Sequence, residues 1–111
     1  MIEKIIYDYL TSALAVPVGL EIPAAPPASF VVIEKTGSGE ENEIFSATVA
    51  VQSYGPTLWD AASLNEEVKA AMEQLDTLPE VCRCDLNSDY NFTDTSSKKY
   101  RYQAVFDIVH Y

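Results

Sequence analysis

The stretch IFSATVAVQSYGPTLWDAASLNEEVKAAMEQL, residues 44–75, changes its hydrophobic period halfway along. From Ile44 to Tyr54 the pattern alternates: Phe45, Ala47, Val49 and Val51 fall on one side, Ser46, Thr48, Ala50 and Gln52 on the other. A period of two marks a strand with unlike faces, one for a core and one more polar or set against another surface. Gly55-Pro56 stops the strand, and Thr57 is placed to cap a helix whose first turn holds Asp60. A carboxylate is favoured there by the unpaired N–H groups and the helix dipole. Ala61, Leu64, Val68, Ala71, Met72 and Leu75 then recur at helical spacing, with Glu66, Glu67, Lys69 and Glu73 outward, and Leu78-Pro79 ends the helix. A one-sided strand running straight into a one-striped helix predicts a helix packed on a sheet.

Reading outward from this unit fills in the rest. Ile2, Ile5, Ile6, Tyr9, Leu10, Ala13 and Leu14 share a helical stripe, with Glu3, Lys4 and Asp8 off it, which predicts an amphipathic helix over 2–14. Val16 to Leu20 reads as a brief edge strand that tolerates Pro17, and Pro23 to Pro27 as a stiff extended connection. Ser29 to Thr36 is strand-like. Gly37-Ser38-Gly39 followed by Glu40, Glu41 and Glu43 predicts a flexible charged loop closing a hairpin. Val81 to Tyr90 predicts a strand with Cys82, Cys84 and Leu86 on one face, and Arg83, Asp85 and Asn87 on the other. After a polar loop at Thr93 to Ser97, the final strand places Tyr100, Tyr102, Ala104, Phe106 and Ile108 on a buried face, opposite Arg101, Gln103, Val105, Asp107 and Val109. The expected fold is α+β, a single domain over 1–111. A mainly antiparallel sheet of four to five strands carries two helices on one face.

Charge bounds the partners. Seventeen acids against seven Lys and Arg give a formal net charge of −10 and a pI near 4.2. Such a chain is repelled by nucleic acid and by anionic lipid. No segment reads as a signal peptide or a membrane helix, so no membrane partner is expected. Cys82 and Cys84 are too close in an extended run to bridge without strain, and predict reduced thiols. The basic residues Lys98, Lys99 and Arg101 cluster at the start of the last strand, interleaved with Tyr100 and Tyr102. Readings of this cluster are an internal counter-charge or solvent-facing trim at the start of a strand, a single-strand contact, or a protein interface meeting the acidic segment Glu40, Glu41, Asn42 and Glu43 or the helix face of a second subunit.

Catalytic and metal chemistry finds little to stand on. His110 is the one histidine, no serine occupies a nucleophile elbow, and Gly37-Ser38-Gly39 lacks the rest of a nucleotide fingerprint. In DLNSDYNFTDTS, residues 85–96, Asp85, Asn87, Asp89 and Asn91 alternate as in a calcium loop. The sixth position is Tyr90 instead of glycine and the twelfth is Ser96 instead of glutamate. The alternate residues therefore predict the polar outer face of a strand. No cofactor or metal is expected.

One resemblance spans essentially the whole chain. ALAVPVGLEIP after the first helix, SFVVIEKTG with its loop and IFSATVAVQSYG, the helix TLWDAASLNEEVKAAMEQL, and DLNSDYNFTDTSSKKYRYQAVFDIVHY together resemble a small tail-completion or tail-terminator protein of long-tailed phages or prophages. The match is one of overall pattern, without a catalytic signature. It implies a non-enzymatic virion protein at the head–tail junction, assembled in the host cytoplasm. It also implies a ring, typically hexameric, that caps the tail tube, stops its polymerisation and meets the head-tail connector protein. DNA would pass through the lumen without specific binding, consistent with an acidic wall. Two other readings stay open: a small acidic inhibitor or DNA mimic binding a basic partner, and a small ligand-binding or enzymatic domain.

Overall fold

The apolar spacing at Ile2, Ile6 and Leu10 winds the start of the chain into helix α1, Ile2–Ala13, with those three residues buried. A two-residue strand β1, Val18–Gly19, precedes the long hairpin of β2, Phe30–Glu41, and β3, Ile44–Gly55. Helix α2, Leu58–Met72, leads through a 3-10 turn at Leu75–Thr77 into β4, Val81–Asn91, and then β5, Tyr100–His110. The computed structural model describes residues 1–97 and 99–111; Lys98 lies outside them. The five strands form one sheet in the order β1-β2-β3-β5-β4. Every neighbouring pair is antiparallel except β1 with β2, which is parallel. The α+β expectation of two helices on one face is met.

The core lies between that face and the helices. Val31 and Ile33 of β2, Ala47, Val49 and Val51 of β3, and Ala104, Phe106 and Ile108 of β5 meet Ile6 and Leu10 of α1 and Leu64, Val68 and Met72 of α2. Burying each such side chain contributes about 1.5–3 kcal/mol. Tyr9 Oη donates to the Ala71 carbonyl at 2.6 Å and ties the two helices together. At the start of α2, Thr57 Oγ1 accepts the Asp60 N–H at 3.1 Å, the cap expected from sequence.

Three expectations need correction. Residues 37–41 are not a flexible loop: β2 runs on to Glu41, and only Asn42 and Glu43 turn. A shift of register between Lys35 and Gly37 absorbs one residue, and both turn residues have positive φ, 53° and 64°, the geometry of a tight two-residue hairpin loop. Secondly, helix α2 ends at Met72 and not at Leu78, with Leu75 buried in the 3-10 turn that follows. Thirdly, β4 does not alternate cleanly. Irregularities between Val81 and Arg83 and between Leu86 and Ser88 each insert a residue, so Cys82 leaves the face that Cys84 and Leu86 share. Asp89 turns to the helix side, away from the outer face predicted for it with Asp85 and Asn87. In β5, Tyr100 and Tyr102 are half-buried, while Ala104, Phe106 and Ile108 are fully so.

Gly55 joins the sheet to the helix layer at very short range. A Cβ there would lie 2.7 Å from the Ala61 nitrogen and 2.9 Å from the Asp60 Cβ. Gly55→Ala should therefore destabilise the protein by about 1–3 kcal/mol, the usual cost of overpacking. A lower urea midpoint with an unchanged slope would register it; an unchanged midpoint would show that the start of α2 can move aside.

Candidate functional site

Of the six charged residues expected at an interface, Lys98 lies outside the described residues and the other five fall at the two ends of the sheet. Glu40 and Glu41 close the hairpin where β2 pairs with Phe45 and Ile44, beside His110 at the end of β5. Glu43 sits in the turn itself. Arg101 pairs with Tyr54, and Tyr100 with Gly55, at the other end of β3; Lys99 bridges to Asp94 just before. Ten residue steps of strand separate the groups, roughly 33 Å at the usual rise, in a molecule 44 Å long and 25 by 24 Å across. The acids and bases therefore cannot meet within one chain. Among the described residues, none of Glu40, Glu41, Glu43, Lys99 and Arg101 takes part in an ion pair.

Arg101 nevertheless has a place inside the fold. Its Nε donates to the Phe92 carbonyl at 2.7 Å and its Nη1 to Tyr54 Oη at 2.9 Å. The guanidinium lies 4.4 Å from the Phe92 ring centre and 5.8 Å from that of Tyr54, and Tyr54 in turn stacks on Phe30 at 4.4 Å. From Arg101 a relay of donors crosses the open face of the sheet. Tyr54 donates to Gln52 at 3.4 Å, Gln52 to Gln103 at 2.9 Å, and Gln103 to Tyr90. Gln52 and Gln103 are buried, and the relay satisfies them as buried amides require. Arg101 is thus tied into the fold by a carbonyl, a phenol and two rings and not as the counter-charge of an acid, whereas Lys99 is exposed.

The acidic tip carries a backbone cost. Glu43 holds φ at 64°, where glycine is the favoured residue and a Cβ is disfavoured by about 1 kcal/mol. The hairpin tip thus stores a small backbone strain at a charged residue.

Sequence reasoning missed a second polar cluster on the helix side. Asn65, buried within α2, donates to Asp89 Oδ2 at 3.0 Å, and Lys69 Nζ lies 2.9 Å from the same oxygen. Hydrogen bonding to Asp89, then to Glu66, raises the Lys69 pKa. The cluster exists because the irregularity at Asn87 turns Asp89 inward. Only the buried polar residue on the α2 stripe, Asn65, could have hinted at it.

A hollow of about 590 Å³ opens between the start of α1 and the acidic hairpin. Ile2, Ile5, Phe45 and Ala47 line it, with Glu3, Lys35, Glu40 and His110 at its margins. Glu3 Oε1 is buried without a hydrogen bond and has only the Lys35 ammonium, 3.8 Å away. His110 stacks on Phe45 at 5.6 Å, a packing contact at the groove wall. Among the described residues, no group of three or more His, Cys, Asp or Glu is placed to hold a metal ion, and no helix is long and apolar enough to cross a membrane.

Two outcomes follow from these geometries. Glu43→Gly should raise stability by about 0.5–1 kcal/mol by relieving the positive φ; thermal melting would check it, and a lower melting point would contradict the strain. The cysteines should differ sharply. Burial first, then the charges of Asp85 and Asp76, push the Cys84 thiol up to about 12, while Cys82 is exposed. A thiol reagent at pH 8 should label Cys82 in the native protein and Cys84 only on unfolding, as peptide mapping would read. The sign of the linkage follows: from pH 9.0, the ordinary value, towards about 12, the unfolded chain ionises at Cys84 and the folded chain does not, so stability falls. No protein-family model matches the chain, and no curated protein sequence matches it significantly.

Proposed function

We propose that the chain is a structural subunit of a long-tailed phage or prophage. It would form a closed ring with copies of itself, cap the tail tube, end the tube's growth and offer the surface that joins the head-tail connector. The observation that carries the reading is the separation of Glu40, Glu41 and Glu43 from Lys99 along the 44 Å axis of the molecule. Opposite charges at opposite ends of one subunit attract head to tail, and repeated head-to-tail contacts form a ring where the rotation between copies closes. The resemblance in sequence pattern supports the same assembly, and the net charge of −10 suits a lumen that passes DNA without holding it. The reaction chemistry of the site is nil in this reading; its work is to set tube length.

The test uses the cognate tube protein during polymerisation, with tube lengths read by electron microscopy. Wild-type protein should shorten and narrow the length distribution. Lys99→Glu should lengthen the tubes at low salt, and adding Glu41→Lys to the same chain should bring the lengths back, because the swap restores attraction with reversed sign. Tubes that grow as long with the wild-type protein as without it would overturn the reading.

A further inference from the structure

The two ends of the molecule differ in shape as well as in charge. At the hairpin end the groove of about 590 Å³ presents Ile2, Ile5, Phe45 and Ala47. At the other end, in the first turn of α2, stands Trp59, the sole tryptophan, with 79% of its surface exposed. So large an apolar side chain left mostly in water adds little packing to this fold, whereas seating an indole removes ~150–250 Å² from solvent.

Register decides whether the two features can meet. Phe45 and Ala47 lie on the helix face of β3, in line with the core residues Val49 and Val51. Trp59 belongs to α2, the layer covering that face. Glu41 and Lys99 lie on the open face, Glu41 opposite Ile44 and Lys99 in line with Arg101 and Gln103. Trp59 stands on the outer side of α2, in line with the exposed Ser63 and Glu66, so a head-to-tail contact that keeps each face on its own side leaves its indole free to reach over the end of the next copy to the groove while Lys99 approaches Glu41. Size adds a reason for an anchor. An end of 25 by 24 Å offers a projected area of roughly 600 Å², below the ~800 Å² per partner of an ordinary stable interface. A contact this small relies on a central aromatic hot spot.

We infer that Trp59 of one copy seats in the groove of the next, against Ile5 and Phe45, with its indole N–H turned to the polar margin that includes Glu3 and Glu40. The occupant is a second copy of this chain, and the inference rests on the ring reading above. Groove and knob are different surfaces, so every copy offers one and fills one.

Trp59 reports on its own environment, because it is the only tryptophan. Its emission should shift to shorter wavelength as the subunits associate, followed by fluorescence alongside native mass spectrometry across a concentration series and after addition of tube ends. Trp59→Ala should keep its circular dichroism, since the side chain is exposed, and weaken association roughly 30-fold or more. Phe45→Arg fills the groove and leaves the knob. Each variant alone should stay monomeric, and their mixture should give a one-to-one pair with shifted emission. Association with unchanged Trp59 emission would overturn the seating and leave the ring standing. A shift that appears only with tube protein bound to single subunits would give the groove another occupant and overturn it too. Absence of both association and tube capping would overturn the seating and the ring together.

Discussion

The chain reverses at Gly55 in a space that has no room for a side chain. The first turn of α2 abuts the last residue of β3 there, so the helix must run back along the strand it has just left. That reversal puts α2 over Val49 and Val51, lets its stripe complete the core with α1, and fixes the helix start at the same end of the sheet as Lys99. Every later relation between the ends of the molecule depends on this junction. A longer connection would free the helix to start elsewhere, and Trp59 would lose its fixed position relative to the basic end.

Strand β3 meets a second demand, because both of its faces are withdrawn from water. Val49 and Val51 go under the helices, while Ala50, Gln52 and Tyr54 are buried on the face that no helix covers. Phe30 stacked on Tyr54, and the amide relay from Tyr54 through Gln52 and Gln103, close that side. A polar face sealed by its own side chains is stiff, since each amide is held from two sides. Arg101 is the charge that terminates the relay, which is why it cannot be read as simple surface trim.

Much of the architecture was legible in periodicity. The stripe of α1, the alternation of β3, the cap at Thr57 and the order of elements all follow from spacing, because each is a local pattern repeated several times. What escaped the sequence were single-residue events. Inserting one residue at Cys82, and another at Asn87, changes which side chains face the helices without altering composition. Asp89 thereby moved from an outer face to the Asn65–Lys69 cluster. Glycines misled in the opposite direction: Gly37 and Gly39 look like loop residues, yet the hairpin partner holds them in a strand as far as Glu41. The candidate site was legible as a list of charges. That the acids and Lys99 stand at opposite poles, and that Arg101 is committed to Tyr54 and Phe92, required the three-dimensional register.

The irregularities in β4 carry a consequence for behaviour in a crowd. An outermost strand offers unpaired N–H and C=O groups to any other chain, and a long regular edge is a template for fibre growth. Here that edge is broken twice and carries Arg83, Asp85 and Asp89, while β1 covers only the first part of β2 and an irregularity follows at Lys35 to Gly37. Sideways stacking into a fibril is therefore disfavoured along both flanks. The lateral surfaces thus give a neighbouring strand no continuous rail to follow.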